Sequence, residues 1–377
     1  MIIDKEKATH RAAGLDLFRV VAAVMVLLFH CHIHHENSFG ALTGFVSMGA
    51  VFMTAFFMLS GYVLFLTYKD KSLVQAPALK NFYLKRIFGI FPMYLVVAAL
   101  YVVTLGQESV FQNLVLLPIE VLGLQSVFST LFPVSHNDGT WFISCLLLAY
   151  LAFPLMQEIV KQMSTRTKWI ALAICAAVLL WSPLVVHTFK TDSIYSNPFF
   201  RGLEFFIGVL LCSLPIRAGI AKVLATWKVF VAEAVLLIAG ISIAVRLNIF
   251  VGNYMLYDWI VLPLFACMIL TLAGLKSPRL QESAVLRYAS AASYAFFLAQ
   301  VFNTQIENWL FPLCGIQNNA LQIAVSVALC AVIAIALHEL VEKPCARMLK
   351  KKLQPQSVSQ NVNYDEITVG IYHKSTF

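Results

Sequence analysis

The chain has few charged residues. Only 12% of its 377 residues are Asp, Glu, Lys or Arg, whereas soluble domains average roughly 25%. Hydrophobic residues make up 60% of the chain. Apolar runs of about 18 or more residues recur along it, which is long enough to cross a bilayer. The scarcity of charge therefore excludes an ordinary soluble domain and predicts an integral membrane protein.

The sequence does not predict disulfides, a cysteine metal site or a cleaved signal peptide. The eight cysteines show no CxxC spacing and fall mostly inside apolar runs, so small buried hydrophobes are favoured over disulfides or metal ligands. Residues 1–11 carry mixed charge, and the first apolar run is long enough to stay as an anchor. We therefore expect this run to remain in the protein rather than to be removed as a signal peptide.

Ten apolar segments predict an all-α, polytopic membrane protein of about ten transmembrane helices. They run over residues 15–34, 45–67, 86–105, 141–160, 169–187, 200–214, 229–246, 256–275, 287–306 and 321–341. One membrane domain is predicted over 1–352, followed by a polar cytoplasmic tail over 353–377 whose composition is typical of disorder. The outer segment 106–140 is apolar enough to lie on the membrane or dip into it.

The loops alternate in basic content, and this alternation predicts the orientation. Lysines and arginines are concentrated in every second loop, whereas residues 106–140 contain none. By the positive-inside rule both termini are cytoplasmic, which an even number of spans requires. The net charge of +8 is then a topology signal and a fit to anionic lipid. Without a basic face bearing stacking aromatics, nucleic-acid binding is not expected.

The first predicted helix carries ionisable residues at membrane depth. Arg19 and His30 are eleven positions apart, which on a helix places both on one face, about 16 Å apart along the axis. Asp16 lies three residues before Arg19 and can pair with it. Intramembrane ionisable groups mark functional sites by default. The structural alternative is a snorkelling Asp16–Arg19 pair with His30 at the interface.

Other polar residues occur in or beside later spans. Ser60 and Tyr62 bring hydroxyls to lipid depth around Gly61. Lys85 and Arg86 open the third predicted span, where a basic pair on a helix N-terminus can bind an anion; ordinary positive-inside charge is the alternative. Further along, an aromatic-belt tryptophan and an i,i+3 pair at a helix start complete the candidates: Trp141, Arg201 and Glu204.

Taken together, these segments resemble the integral-membrane acyltransferase 3 family, which includes O-acetyltransferases of bacterial surface polysaccharides. Arg19 and His30 match the Arg-x10-His spacing of the family's first helix, and Ser60-Gly61-Tyr62 is similar to its second-helix motif. Looser matches cover Arg86 to Tyr94, Trp141-Phe142, Arg201 to Gly208, and Glu342-x-Pro344. One departure is Gln300, which stands where many members carry a histidine.

The resemblance implies a cytoplasmic acyl-coenzyme A donor and a hydroxyl acceptor on a cell-surface or lipid-linked carbohydrate. An enzyme in the inner membrane of a bacterium is implied, with acetyl the default group and coenzyme A a co-substrate rather than a bound cofactor. His30 would act as general base or as covalent acyl carrier. Arg19 would be its electrostatic partner beside Asp16. Lys85 and Arg86 would hold coenzyme A, and Ser60, Tyr62, Trp141, Arg201 and Glu204 would contact substrate.

Two other interpretations fit some of the same residues. A multi-span transporter or flippase for a small anionic or lipid-linked substrate fits ten spans with intramembrane charge, although no inverted repeat is visible. A metal site at His30, His32, His34 and His35 is not favoured, because on a helix His30 and His34 share a face whereas His32 does not. No metal is therefore predicted, and the oligomeric state is left open.

Overall fold

A computed structural model describes residues 12–104, 110–127, 138–189, 194–216, 218–250 and 254–353. Within those residues the fold is all-α, and no strand is present. Of the predicted polar tail, residues 354–377 lie outside the described residues, as do 128–137 of the outer segment. Residues 110–121 of that segment form a helix.

Twelve helices of eleven or more residues build the described chain. They are α1 (Ala13–His35), α2 (Phe52–Tyr68), α3 (Ala76–Thr104), α4 (Val110–Val121), α5 (Trp141–Gln162), α6 (Thr165–Phe189), α7 (Pro198–Ser213), α8 (Trp227–Arg246), α9 (Asp258–Gly274), α10 (Ala284–Leu313), α11 (Asn319–Leu337) and α12 (Lys343–Leu353). A π-helical turn over His338–Glu342 joins α11 to α12. Shorter helices and turns lie between the others, at Thr43–Val46, Ala218–Leu224 and Pro278–Glu282.

Each of the ten predicted spans coincides with a long helix. In the described residues, eight helical segments are long and apolar enough to cross a membrane. The two predicted spans outside that set are α7, which has 16 residues, and α10, whose 30 residues include a buried polar face. An all-α polytopic membrane protein is confirmed, whereas ten as the number of crossings and cytoplasmic termini stay predictions.

The starts of two helices differ from the sequence interpretation. The second continuous helix begins at Phe52 rather than near Phe45, because a short helix and a 3-10 turn precede it where Gly49 packs tightly on Phe29. The third helix begins at Ala76, ten residues before Arg86. Pro77 stands at its start, where proline is well tolerated.

Helix α2 forms the centre of the bundle and packs most closely on α7. In the most apolar stretch of this span, 78% of the residues are buried, the highest share of any candidate span in the described chain. The crossing depends on two glycines. A Cβ on Gly61 would lie 1.9 Å from the carbonyl oxygen of Phe205, and one on Gly208 would lie 1.9 Å from that of Met58. Small residues of this kind let two membrane helices approach backbone to backbone.

This crossing generates a stability prediction. Gly61→Ala or Gly208→Ala should lower the melting temperature of the purified protein in detergent, because overpacking typically costs about 1–3 kcal/mol and here the clash is with backbone. Gly202→Ala is the matched control on α7, since a Cβ there meets nothing within 4 Å. It should gain about 0.5–1 kcal/mol from helix propensity. Equal melting temperatures for the three variants would contradict the close crossing.

Candidate functional site

One uninterrupted helix carries both ionisable residues of the first span. Helix α1 is α-helical from Ala13 to His35, so Arg19 and His30 lie on one face about 16 Å apart along its axis. The prediction that Arg19 and His30 share one helix face is therefore confirmed. The surroundings of the two residues differ, however, because different helices pack on the two ends of α1.

At the Arg19 end, three polar side chains join α1 to α10. The Nη1 of Arg19 lies 3.8 Å from Asp16 Oδ1, and it donates to the Ser290 hydroxyl at 3.3 Å. That hydroxyl in turn donates to Asp16 Oδ1 at 2.7 Å. The expected Asp16–Arg19 pairing is present, with Ser290 as a bridge. Arg19 keeps 29% of its side chain exposed, so Asp16 and Ser290 position the guanidinium but leave part of it accessible.

The exposed side of Arg19 lines a cavity of about 340 Å³. Three basic side chains from two helices meet there: Arg19, Lys85 and Arg86. Ser60 lines the same cavity, so four of the ten predicted site residues are brought together. Phe56, Phe142 and Phe297 contribute an apolar wall, with ring centroids 4.8–5.7 Å apart in the pairs that involve Phe297. A charged mouth beside an aromatic wall suits a ligand with an anionic part and an apolar part.

Aromatic rings hold Arg86 at the cavity. Its guanidinium lies 5.7 Å from the ring centroid of Phe82 and 5.6 Å from that of Tyr150. The Nε atom is buried and has no hydrogen-bond partner within the described part of the chain. Lys85, beside it, is exposed. Both residues lie about 15 Å along α3 from its start at Ala76, so the predicted contribution of a helix N-terminus to anion binding is wrong.

The cavity also contains a carboxylate that the sequence interpretation had not assigned to the site. Glu342 lies in the π-helical turn and lines the cavity, and its Oε2 is 2.6 Å from His338 Nδ1. Turns of this type occur frequently at functional sites. Tyr294 lines the cavity as well, and its hydroxyl donates to the carbonyl of Ile90. Glu342 belongs to a segment that resembles the family, which was the available signal for this residue.

His30 does not line this cavity. Its Nδ1 is 3.4 Å from His34 Nε2, and the two rings are stacked, with centroids 5.5 Å apart. The other two histidines of the predicted cluster face elsewhere: His32 Nδ1 lies 2.9 Å from the carbonyl oxygen of Asn37, and His35 bonds to Glu307. Within the described residues, no group of three or more potential ligands is arranged to hold a metal ion.

Three predicted substrate residues form a separate, deeply buried cluster. Arg201 and Glu204 are 1% and 0% exposed, and Nη1 of Arg201 donates to both carboxylate oxygens at 2.7 and 2.9 Å. The Trp141 ring centroid lies 5.4 Å from the guanidinium. Additional partners enclose the pair, namely Thr54, which donates to Glu204, and the carbonyl of Tyr195, which accepts from Arg201. These contacts give the cluster a structural role, and substrate contact stays a prediction.

Tyr62 and Gln300 also lie away from the cavity. Tyr62 is beside Cys212 of α7, on a different face of α2 from Ser60. Gln300 is buried, and its Nε2 donates to the carbonyl of Ala23 at 2.9 Å. At the position where a family histidine was expected, this chain therefore has a side chain that ties α10 to α1.

Together, the polytopic helical fold and this cavity define an integral membrane protein with a cationic binding site. The comparisons with known proteins specify its class: residues 12–339 match the Acyltransferase domain family, and the chain belongs to that family. It is similar to the acyltransferase MdmB of Streptomyces mycarofaciens, with 26% identity over 94% of this chain and 97% of that protein. No solved structure matches it.

Membership of this family identifies the chain as a membrane O-acyltransferase. Of the two classes considered from the sequence, the enzyme is therefore confirmed over the transporter. The family match begins at Ala12 and ends at Glu339, so it spans α1 to the start of the π-helical turn.

The buried pair generates a prediction about its role. Glu204→Gln should lower the melting temperature strongly, because removing one partner of a buried ion pair costs about 3–5 kcal/mol and leaves Arg201 uncompensated. The control is Glu339→Gln, which removes an exposed carboxylate that pairs with Lys343 and should leave the melting temperature unchanged. A Glu204→Gln protein of normal melting temperature but raised acceptor KM would favour substrate contact instead.

Proposed function

We propose that this enzyme moves an acyl group, acetyl by default, from cytoplasmic acyl-coenzyme A to a hydroxyl of a cell-surface or lipid-linked carbohydrate. The observation that carries the proposal is the cavity in which Arg19, Lys85 and Arg86 meet. A site with three cations and an aromatic wall is matched to a donor that has phosphates at one end and a thioester on an apolar arm.

The two basic residues of α3 are assigned to the phosphates of coenzyme A. Arg86 has an unsatisfied buried Nε, and the flexible Lys85 side chain beside it is exposed. A guanidinium held between two rings loses little freedom when it binds, so the gain from a phosphate contact is retained. On the predicted topology this end of the bundle faces the cytoplasm, where the donor is found.

Arg19 is assigned to the donor and His30 to the acyl group. The fixed positive charge of Arg19 holds a phosphate or carbonyl oxygen of the donor where it enters, and the thioester reaches His30 about 16 Å further along α1. The imidazole of His30 can take the proton of the attacking hydroxyl while the carbon–sulfur bond breaks and the thiolate leaves. In the alternative route the imidazole attacks first and carries the acyl group to the hydroxyl. Either route needs a donor arm that reaches along α1.

The separation of about 16 Å between Arg19 and His30 supports transfer across part of the membrane. The donor enters beside Arg19, and the acceptor hydroxyl meets the acyl group near His30, which the predicted topology puts towards the outer leaflet. The linear pantetheine arm of coenzyme A is suited to such a path. This arrangement is proposed for the inner membrane of a bacterium, whose outer-facing glycans would be the acceptors.

The role of His30 is tested by mass spectrometry of cell-surface and lipid-linked glycans. Cells expressing the wild type should gain an acyl mass, whereas His30→Ala and Arg19→Ala should lose most of it, because a catalytic base alone contributes roughly 10²–10⁴-fold. His32→Ala is the control on the same helix and should retain transfer. An inserted His30→Ala protein that acylates at the wild-type rate would refute the assignment.

Donor binding is tested by steady-state kinetics with acyl-coenzyme A. Arg86→Ala should raise the KM for the donor about tenfold or more at little cost in kcat, because a hydrogen bond to a charged group is worth about 1.5–3 kcal/mol. Lys80→Ala provides the control, since Lys80 is an exposed lysine of α3 that does not line the cavity. An equal rise in both variants would indicate general charge attraction rather than a specific site.

A further inference from the structure

A second cavity lies beyond His30, where α1 ends and α10 meets α11. Its volume is about 400 Å³, within the range of about 300–1,000 Å³ that small-molecule sites occupy. His35 and Glu307 form one wall, and Phe311 lies behind them. Side-chain amides of Asn308, Gln317 and Gln322 complete the polar lining. The residues that line this cavity have no part in the acyl transfer proposed above.

The ion-pairing geometry of this cavity leaves one nitrogen for a ligand. Glu307 is 1% exposed, and a carboxylate can only accept, so His35 Nε2 donates to Glu307 Oε2 at 2.9 Å. The other oxygen of Glu307 accepts from the amide of Asn303. With both carboxylate oxygens satisfied, Nδ1 is the ring nitrogen of His35 that is left for a ligand, and in the described residues this atom has no hydrogen-bond partner.

The rim of the cavity is a built structure rather than a loose loop. Glu36 adopts a left-handed conformation, φ 54°, which turns the chain sharply at the end of α1. Asn37 then donates to Gln322 Oε1 at 2.7 Å, and Gln322 Nε2 donates to the carbonyl of Ile316 at 3.0 Å. Ser38 and Asn319 exchange two further hydrogen bonds. These hydrogen bonds fix the end of α1 to the start of α11 beside the opening of the cavity.

The lining selects for a neutral, hydroxyl-rich ligand. No Lys or Arg is among the described residues that line this cavity, and its one fixed charge is a carboxylate, so an anionic ligand is disfavoured. The free ring nitrogen of His35, the exposed amides of Asn308 and Gln317 and the ring of Phe311 offer hydrogen bonds and an apolar face. Such a mixture is complementary to the hydroxyls and C–H face of a sugar ring.

We propose that this cavity is a subsite for a neutral sugar unit of the acceptor, next to the unit that is acylated. This inference rests on the proposed function, because it treats the acceptor as a carbohydrate. His35 lies about 7.5 Å along α1 from His30 and on a different face, so a unit bound there is displaced from the reacting hydroxyl. Binding at such a remote point positions the hydroxyl for transfer.

The test measures binding without acyl transfer. Saturation-transfer NMR on the full-length protein in detergent would use methyl glucoside, methyl galactoside and methyl rhamnoside, with methyl glucuronide and methyl glucosaminide as anionic and cationic counterparts. At least one neutral glycoside should bind, and Asn308→Ala/Gln317→Ala should weaken it at least fivefold. Both side chains are exposed, so this variant should fold, and Gln162→Ala is a control at the opposite end of the bundle.

Several outcomes would overturn the inference. They are no binding of any neutral glycoside, stronger binding of a charged one, or neutral binding that the double variant does not weaken. Because the assay contains no acyl-coenzyme A, failure of the proposed acyl transfer would leave a positive binding result standing. Conversely, glycan acylation that persists at an unchanged acceptor KM in the double variant would remove the subsite while leaving the proposed function intact.

Discussion

The cost of keeping charge out of water governs the arrangement of this protein. Several ionisable side chains inside the bundle are held by a partner from a neighbouring helix: Ser290 bridges Asp16 and Arg19, and Thr54 supports Glu204 beside Arg201. His35 pairs with Glu307 in the same way. Because an unpaired intramembrane charge is expensive, these pairs fix which helices touch and in which register.

The two paired arginines, Arg201 and Arg19, differ in how completely their partners enclose them. Arg201 is enclosed completely, with aromatic rings on several sides and both carboxylate oxygens of Glu204 in contact. Arg19 has a partner but keeps an exposed side, and that side lines the cavity that it shares with Lys85 and Arg86. A cation that is held but not fully satisfied can still bind an anionic group, whereas an enclosed one stabilises the bundle. The same residue type therefore occupies two different environments in this bundle.

The first helix connects the two ends of the enzyme. Arg19 opens into the cavity with Lys85 and Arg86, and His30 lies three turns away on the same face. Beyond it, His35 and Glu307 line the second cavity. In the proposed function, these two cavities separate the donor from the acceptor.

The sequence by itself determined the all-α membrane fold, the positions of the helices and the shared face of Arg19 and His30, because hydropathy and helical periodicity are local properties. Only the tertiary structure decided which candidates meet. It grouped Ser60, Lys85 and Arg86 with Arg19, added Glu342, and separated Tyr62, Trp141, Arg201 and Glu204 from them. Such groupings depend on helix crossings and rotations between distant segments. Those follow from packing and paired charges across the bundle, which no local pattern records.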